Sequence, residues 1–99
     1  MAKYELSLYD DNDKVIKTYQ RNKCPVDLYL KFQQYSEKVT GDKVKNDKDF
    51  FAGLKDLFLE FFPAMTEKEY TNNTDVAEII VLFNTIISKA TKLTNEKNV

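Results

Sequence analysis

Asp10-Asp11-Asn12-Asp13 is the first stretch of this chain whose residue types could do chemistry, because clustered side-chain oxygens suit a hard cation such as calcium. It lacks the glycine and the bidentate glutamate of an EF-hand loop. Asp and Asn also bond nearby backbone in ordinary turns, and that is the expected role. Glu67 and Glu69 could act as an acid/base pair. They belong, however, to Thr66-Glu67-Lys68-Glu69, where Thr66 can accept from the Glu69 amide while Glu69 reaches back, so a capping box is expected instead. Cys24 beside Lys23 could supply a thiolate. A small, half-buried residue at a helix entrance is the expected reading. Asn72-Asn73-Thr74 matches a glycosylation acceptor, but helix-start chemistry explains it better.

The missing residue types narrow the chemistry further. The 99 residues include no histidine, one cysteine and two glycines. Zinc sites and Ser-His-Asp or Cys-His catalysis lack their ligands and bases. Gly41 and Gly53 stand alone, so no phosphate or dinucleotide loop is present. No enzymatic activity, metal, cofactor or small-molecule substrate is expected. Fifteen basic residues oppose sixteen acidic ones with no strongly basic segment, so nucleic acid is not an expected partner. The longest apolar run, Ile79-Ile80-Val81-Leu82-Phe83, falls far short of the ~18–20 residues of a membrane span. The N-terminus has no apolar segment of the signal-peptide kind, and a lone cysteine suits a reducing compartment. A soluble intracellular protein is the expectation.

The elements that position these residues can be read from periodicity. Tyr4, Leu6 and Leu8 alternate with Lys3, Glu5 and Ser7, the period of a half-buried strand. Val15, Ile16, Thr18 and Tyr19 follow the acidic turn with strand-forming types. Residues 3–20 therefore read as a β-hairpin with a loop of about four residues. Pro25 suits the first turn of a helix over residues 25–40, whose stripe is Leu28, Phe32, Tyr35 and Val39. A polar segment, 38–49, follows as a loop. A second helix, 47–62, capped by Asp47 or Asn46, carries Phe50, Phe51, Leu54, Leu57, Phe58, Phe61 and Phe62 over an arc of about 140°. Pro63 ends it. A short helical turn is expected over 67–72. The last helix, 75–92, capped by Thr74 or Asp75, repeats Val76, Ile79, Ile80, Phe83, Ile86, Ile87 and Ala90, and residues 93–99 are expected to fray. The whole is one α+β domain: a hairpin followed by a mainly α-helical bundle of three principal helices plus a short helical turn.

Tyr29, Leu30, Leu59, Val81 and Leu82 fall off or at the margins of these stripes. A domain of this size cannot hide several faces of every helix, so some apolar surface is expected to serve a partner or a second copy. Tyr29, Leu30 and Leu59 are the candidate contact residues. Phe61 and Phe62 join them if the second helix is less buried than its stripe implies.

Several strings together resemble the tail assembly chaperones of long-tailed bacteriophages and prophages of Gram-positive bacteria. These are Lys3-Tyr4-Glu5-Leu6-Ser7-Leu8-Tyr9-Asp10-Asp11, then Lys14-Val15-Ile16-Lys17-Thr18-Tyr19, then Phe58-Leu59-Glu60-Phe61-Phe62-Pro63 with Thr66-Glu67-Lys68-Glu69. Asp75-Val76 and Leu82-Phe83-Asn84-Thr85-Ile86-Ile87 complete the likeness, which covers nearly the whole chain through pattern and spacing rather than a catalytic signature. The resemblance implies a non-enzymatic role in the bacterial host cytoplasm, outside the mature virion. The expected partners are the tape measure protein, which such chaperones coat and keep soluble, the tail tube protein, which they recruit, and further copies in a homo-oligomer. It also implies that a longer form is commonly made by ribosomal frameshifting near the end of the short one. A small phage-encoded regulator or anti-defence inhibitor binding one host protein is the alternative.

Overall fold

A computed structural model describes residues 3–97, with side chains through Ser88. Two strands, β1 (Tyr4–Tyr9) and β2 (Val15–Arg21), precede four helices: α1 (Val26–Thr40), α2 (Asp47–Phe61), α3 (Glu67–Asn73) and α4 (Val76–Lys97). This is the expected α+β arrangement, a hairpin followed by helices. The strands pair antiparallel, with Tyr4 opposite Arg21, Leu6 opposite Tyr19 and Leu8 opposite Lys17. The register slips between Leu8 and Tyr9, which pairs with Val15. The connecting loop spans 10–14, one residue more than the sequence implied. Asp10 accepts from the Asn12 and Lys14 amides through Oδ1, and Asp13 takes a left-handed φ of 64°. Asp tolerates that conformation better than most side chains.

The helix boundaries follow local chemistry. Pro25 occupies the cap position just ahead of α1 rather than its first turn, and Asn46 caps α2 by accepting from the Asp49 amide at 2.8 Å. Thr66 and Glu69 form the reciprocal capping box of α3. Asp75 caps α4, its Oδ2 accepting from the Glu78 amide at 3.2 Å. The α4 backbone stays helical to Lys97, past the expected end at residue 92. Leu93, Glu96 and Lys97 favour helix, and no glycine or proline interrupts them. Residues 98 and 99 of the expected frayed tail lie outside the described residues, as do the side chains of Ala90, Lys89 and Lys92.

One core joins these elements. Leu6 and Leu8 from β1, Phe32 from α1, and Leu54, Phe58 and Phe61 from α2 are fully enclosed, with Ile79 and Ile86 from α4 nearly so. Phe32 meets Phe58 and Phe61 edge-on, at centroid separations of 5.4 and 5.9 Å. The Tyr35 hydroxyl donates to the Phe50 carbonyl at 2.7 Å and ties α1 to the start of α2. Gly53 makes that approach possible, since a Cβ there would run into the Tyr35 ring. Against this helical body β1 packs closely, touching α3 and α4, whereas among the described helices and strands only β1 lies beside β2. Among the described residues no helix is long and apolar enough to cross a membrane.

Candidate protein-interaction surface

An apolar concavity lies between α2, α3 and the first turns of α4. Its cavity of about 280 Å³ is lined by Phe51, Ala52, Lys55, Tyr70, Thr71, Thr74, Val76 and Ile79. Tyr70 and Ile79 make its buried floor, half-buried Phe51 one wall and Val76, 58% exposed, the other. The floor is fixed by hydrogen bonds. The Tyr70 hydroxyl donates to the Phe51 carbonyl at 2.8 Å, and the Thr74 hydroxyl donates to the Tyr70 carbonyl at 2.6 Å. Burial first, then the nearby Tyr35, holds the Tyr70 phenol far above its ordinary range, so it stays a neutral donor. At the rim Lys55 lies 3.9 Å from Glu67. Ile80, also exposed, extends the apolar surface one turn beyond Val76. The groove can take an apolar side chain, but it holds no nucleophile paired with a base.

A second, polar concavity of about 430 Å³ sits where the hairpin turn meets the α3–α4 junction, and it gathers Asp10, Asp13, Asp75 and Glu78. Three of its carboxylates are already engaged. Asp10 binds the turn amides, Asp75 caps α4, and Glu78 accepts from the Tyr9 hydroxyl. That bond, together with burial, raises the Tyr9 phenol. Asn73 Nδ2 completes the seam by donating to the Tyr9 carbonyl at 2.9 Å. Among the described residues no three carboxylates or thiols are placed to hold a metal ion. Cys24 is half-buried, and desolvation raises its thiol above the ordinary value, which disfavours a reactive thiolate.

The expected contact residues separate. Leu30 stands half-exposed on α1, one turn after Val26, which is 74% exposed. Tyr29 and Leu59 are half-buried and pack on the core. Phe61 and Phe62 are interior residues, so the condition that would make them contact residues is not met. Tyr4 meets Phe61 edge-on at 5.3 Å and Arg21 covers its ring, while Tyr19 covers Phe62. Leu82, placed at a stripe margin, is buried too, because β1 packs along α4; Val81 is exposed as its position implied. None of these residues lines the apolar groove. Phe51, Val76 and Ile80 belong to the apolar stripes that the sequence places in the core. The available signal was position: Val76 opens α4, and a stripe overhangs its neighbours at a helix end. A comparison with protein-family models, curated proteins and solved structures finds no match to this chain.

Proposed function

We propose that this chain is a phage tail assembly chaperone: a non-enzymatic protein of the bacterial host cytoplasm that binds and solubilises the tape measure protein and recruits tail tube subunits. The observation that supports this reading is the open apolar groove of α2, α3 and α4, extended by Val76 and Ile80. A long helical client needs a holder that offers an apolar seat for one face of a helix within an otherwise charged surface. The family likeness of the hairpin and the α2–α3 strings supplies the identity of the client. On this reading the groove takes apolar side chains of the tape measure protein, with Leu30 and Val26 on α1 as a second contact.

Co-expression with a phage tape measure protein, which the proposal expects to be encoded beside it, tests the reading. The client should move from the pellet to the soluble fraction when this chain is present. Val76→Asp should weaken that capture while leaving helical circular dichroism unchanged, because Val76 is mostly exposed. A client equally insoluble with and without the chain would defeat the reading.

A further inference from the structure

β2 leaves one side of its backbone unused. Among the described residues its only strand partner is β1, and no group outside the hairpin bonds to its main chain. A free edge of this kind can take an added strand, with main-chain hydrogen bonds supplying affinity and a side-chain pocket supplying choice. Such a pocket lies beside it. A concavity of about 280 Å³ opens between Tyr19 and Arg21 of β2 and Phe62, Pro63 and Ala64 after α2. Buried Phe62 and Tyr19 form its floor, and exposed Pro63 and Ala64 its rim. β1 contributes nothing to this lining, so the pocket opens on the unpaired side of the strand.

Charge selects what the added strand must carry. From Lys14 to Lys23 the chain has four cations, Lys14, Lys17, Arg21 and Lys23, and no anion. Among the described residues Arg21 has no carboxylate partner: its guanidinium donates to the neutral Phe61 carbonyl at 2.7 Å. Lys17, 53% exposed, meets Glu69 only at 4.0 Å. Lys17, Tyr19 and Arg21 share the inward face of β2, so an added strand sets alternate residues against them. Carboxylates opposite Lys17 and Arg21, with an aliphatic side chain between them opposite Tyr19, complement that face. A second β2 would bring only further cations.

We propose that the β2 edge docks an acidic, extended segment of a partner protein, patterned acidic-x-aliphatic-x-acidic, with the aliphatic side chain entering the pocket. This does not rest on the chaperone reading, and the groove of α2, α3 and α4 takes no part in it. The probe is a fluorescein-labelled peptide, Thr-Glu-Thr-Val-Thr-Glu-Thr, titrated with the full chain. Its anisotropy should rise, and that of Thr-Lys-Thr-Val-Thr-Lys-Thr should not. Replacing the central Val by Ser should weaken binding. Arg21→Gln should weaken it by about tenfold, the scale of one lost charge-assisted hydrogen bond. Because Arg21 also braces the end of α2, Lys17→Gln is the paired variant and should weaken binding with circular dichroism unchanged. Hydrogen exchange read by NMR locates the peptide: β2 amides should gain protection on its addition, and those of the groove should not. Equal binding of the Glu and Lys peptides, binding of neither, or protection of the groove instead of β2 would overturn the proposal. So would β2 amides already protected in the concentrated chain alone, since a second copy would then occupy the edge.

Discussion

β1 and β2 both mix aromatic and aliphatic side chains with polar ones, yet β1 buries Tyr4, Leu6 and Leu8 while β2 buries Tyr19 alone. Strand propensity says that a segment fits a pleated surface; it does not say what covers that surface. β1 lies between β2 and the helices, against α3 and α4, and every inward side chain meets the core. β2 lies outside it. Its other inward positions are Lys17 and Arg21, whose charged heads lie over the Tyr19 and Phe61 rings and also reach polar partners. Arg21 donates to the Phe61 carbonyl at 2.7 Å with its guanidinium 4.7 Å from the Phe61 ring. One strand therefore belongs to the core, and the other fastens to the core's edge through polar tips.

The largest effect that could break this contrast is at Leu6. The side chain is fully enclosed, and Leu6→Ala should destabilise the domain by about 2–5 kcal/mol, read from urea denaturation. A loss under about 1 kcal/mol would mean that β1 does not anchor the hairpin to the helices.

The hairpin, α1, α2 and the capping box of α3 were legible because their signals are local: alternation, apolar spacing, and a Thr three residues ahead of its Glu partner in Thr66-Glu67-Lys68-Glu69. Covering was not local, and there the sequence was a poorer guide. Phe61 and Phe62 sit at the end of an apolar stripe, where exposure and burial look alike in sequence. Tyr4 and Tyr19, distant in the chain, close over them. Leu82 looked marginal because nothing in its helix announces that β1 runs alongside, and Val76 looked internal because its stripe continues into Ile79. The apolar groove was invisible for the same reason. Its walls come from α2, α3 and α4, and the stripes of α2 and α4 both read as core from the sequence alone.

An intermediate effect sharpens the contrast at the one core residue of β2. The Tyr19 hydroxyl donates to Glu69 at 2.8 Å and contacts the Ala64 carbonyl at 3.2 Å. Tyr19→Phe keeps the ring over Phe62 and should cost about 1–2 kcal/mol. The same link gives a pH signature. The Thr66 amide first, then the Tyr19 hydroxyl, hold the Glu69 carboxyl below its ordinary range. A lowered folded value means the stabilisation is fully present above the ordinary carboxylate pKa and is lost as pH falls through the lowered one. Acid titration of stability should therefore be shallower in Glu69→Gln than in the wild type. Identical acid slopes would show that β2 is not fastened through this carboxylate.

The smallest expected effect is the most discriminating. Ile16 is a large aliphatic residue in a strand and 58% exposed, so Ile16→Ala in dilute solution should change stability by no more than about 0.5 kcal/mol. Its apolar surface is already wet in the folded monomer, and truncation removes little burial. A loss matching Leu6→Ala in the monomer would mean that β2 is covered after all, and the contrast between the strands would fail. A loss that appears only as protein concentration rises has a different cause. Stability then depends on association, because a species that binds only the folded chain stabilises it by mass action. Measuring Leu6→Ala and Ile16→Ala together across a concentration series separates the two cases. The core strand's loss should persist at every concentration, and a loss at the edge strand that grows with concentration would report copies meeting there.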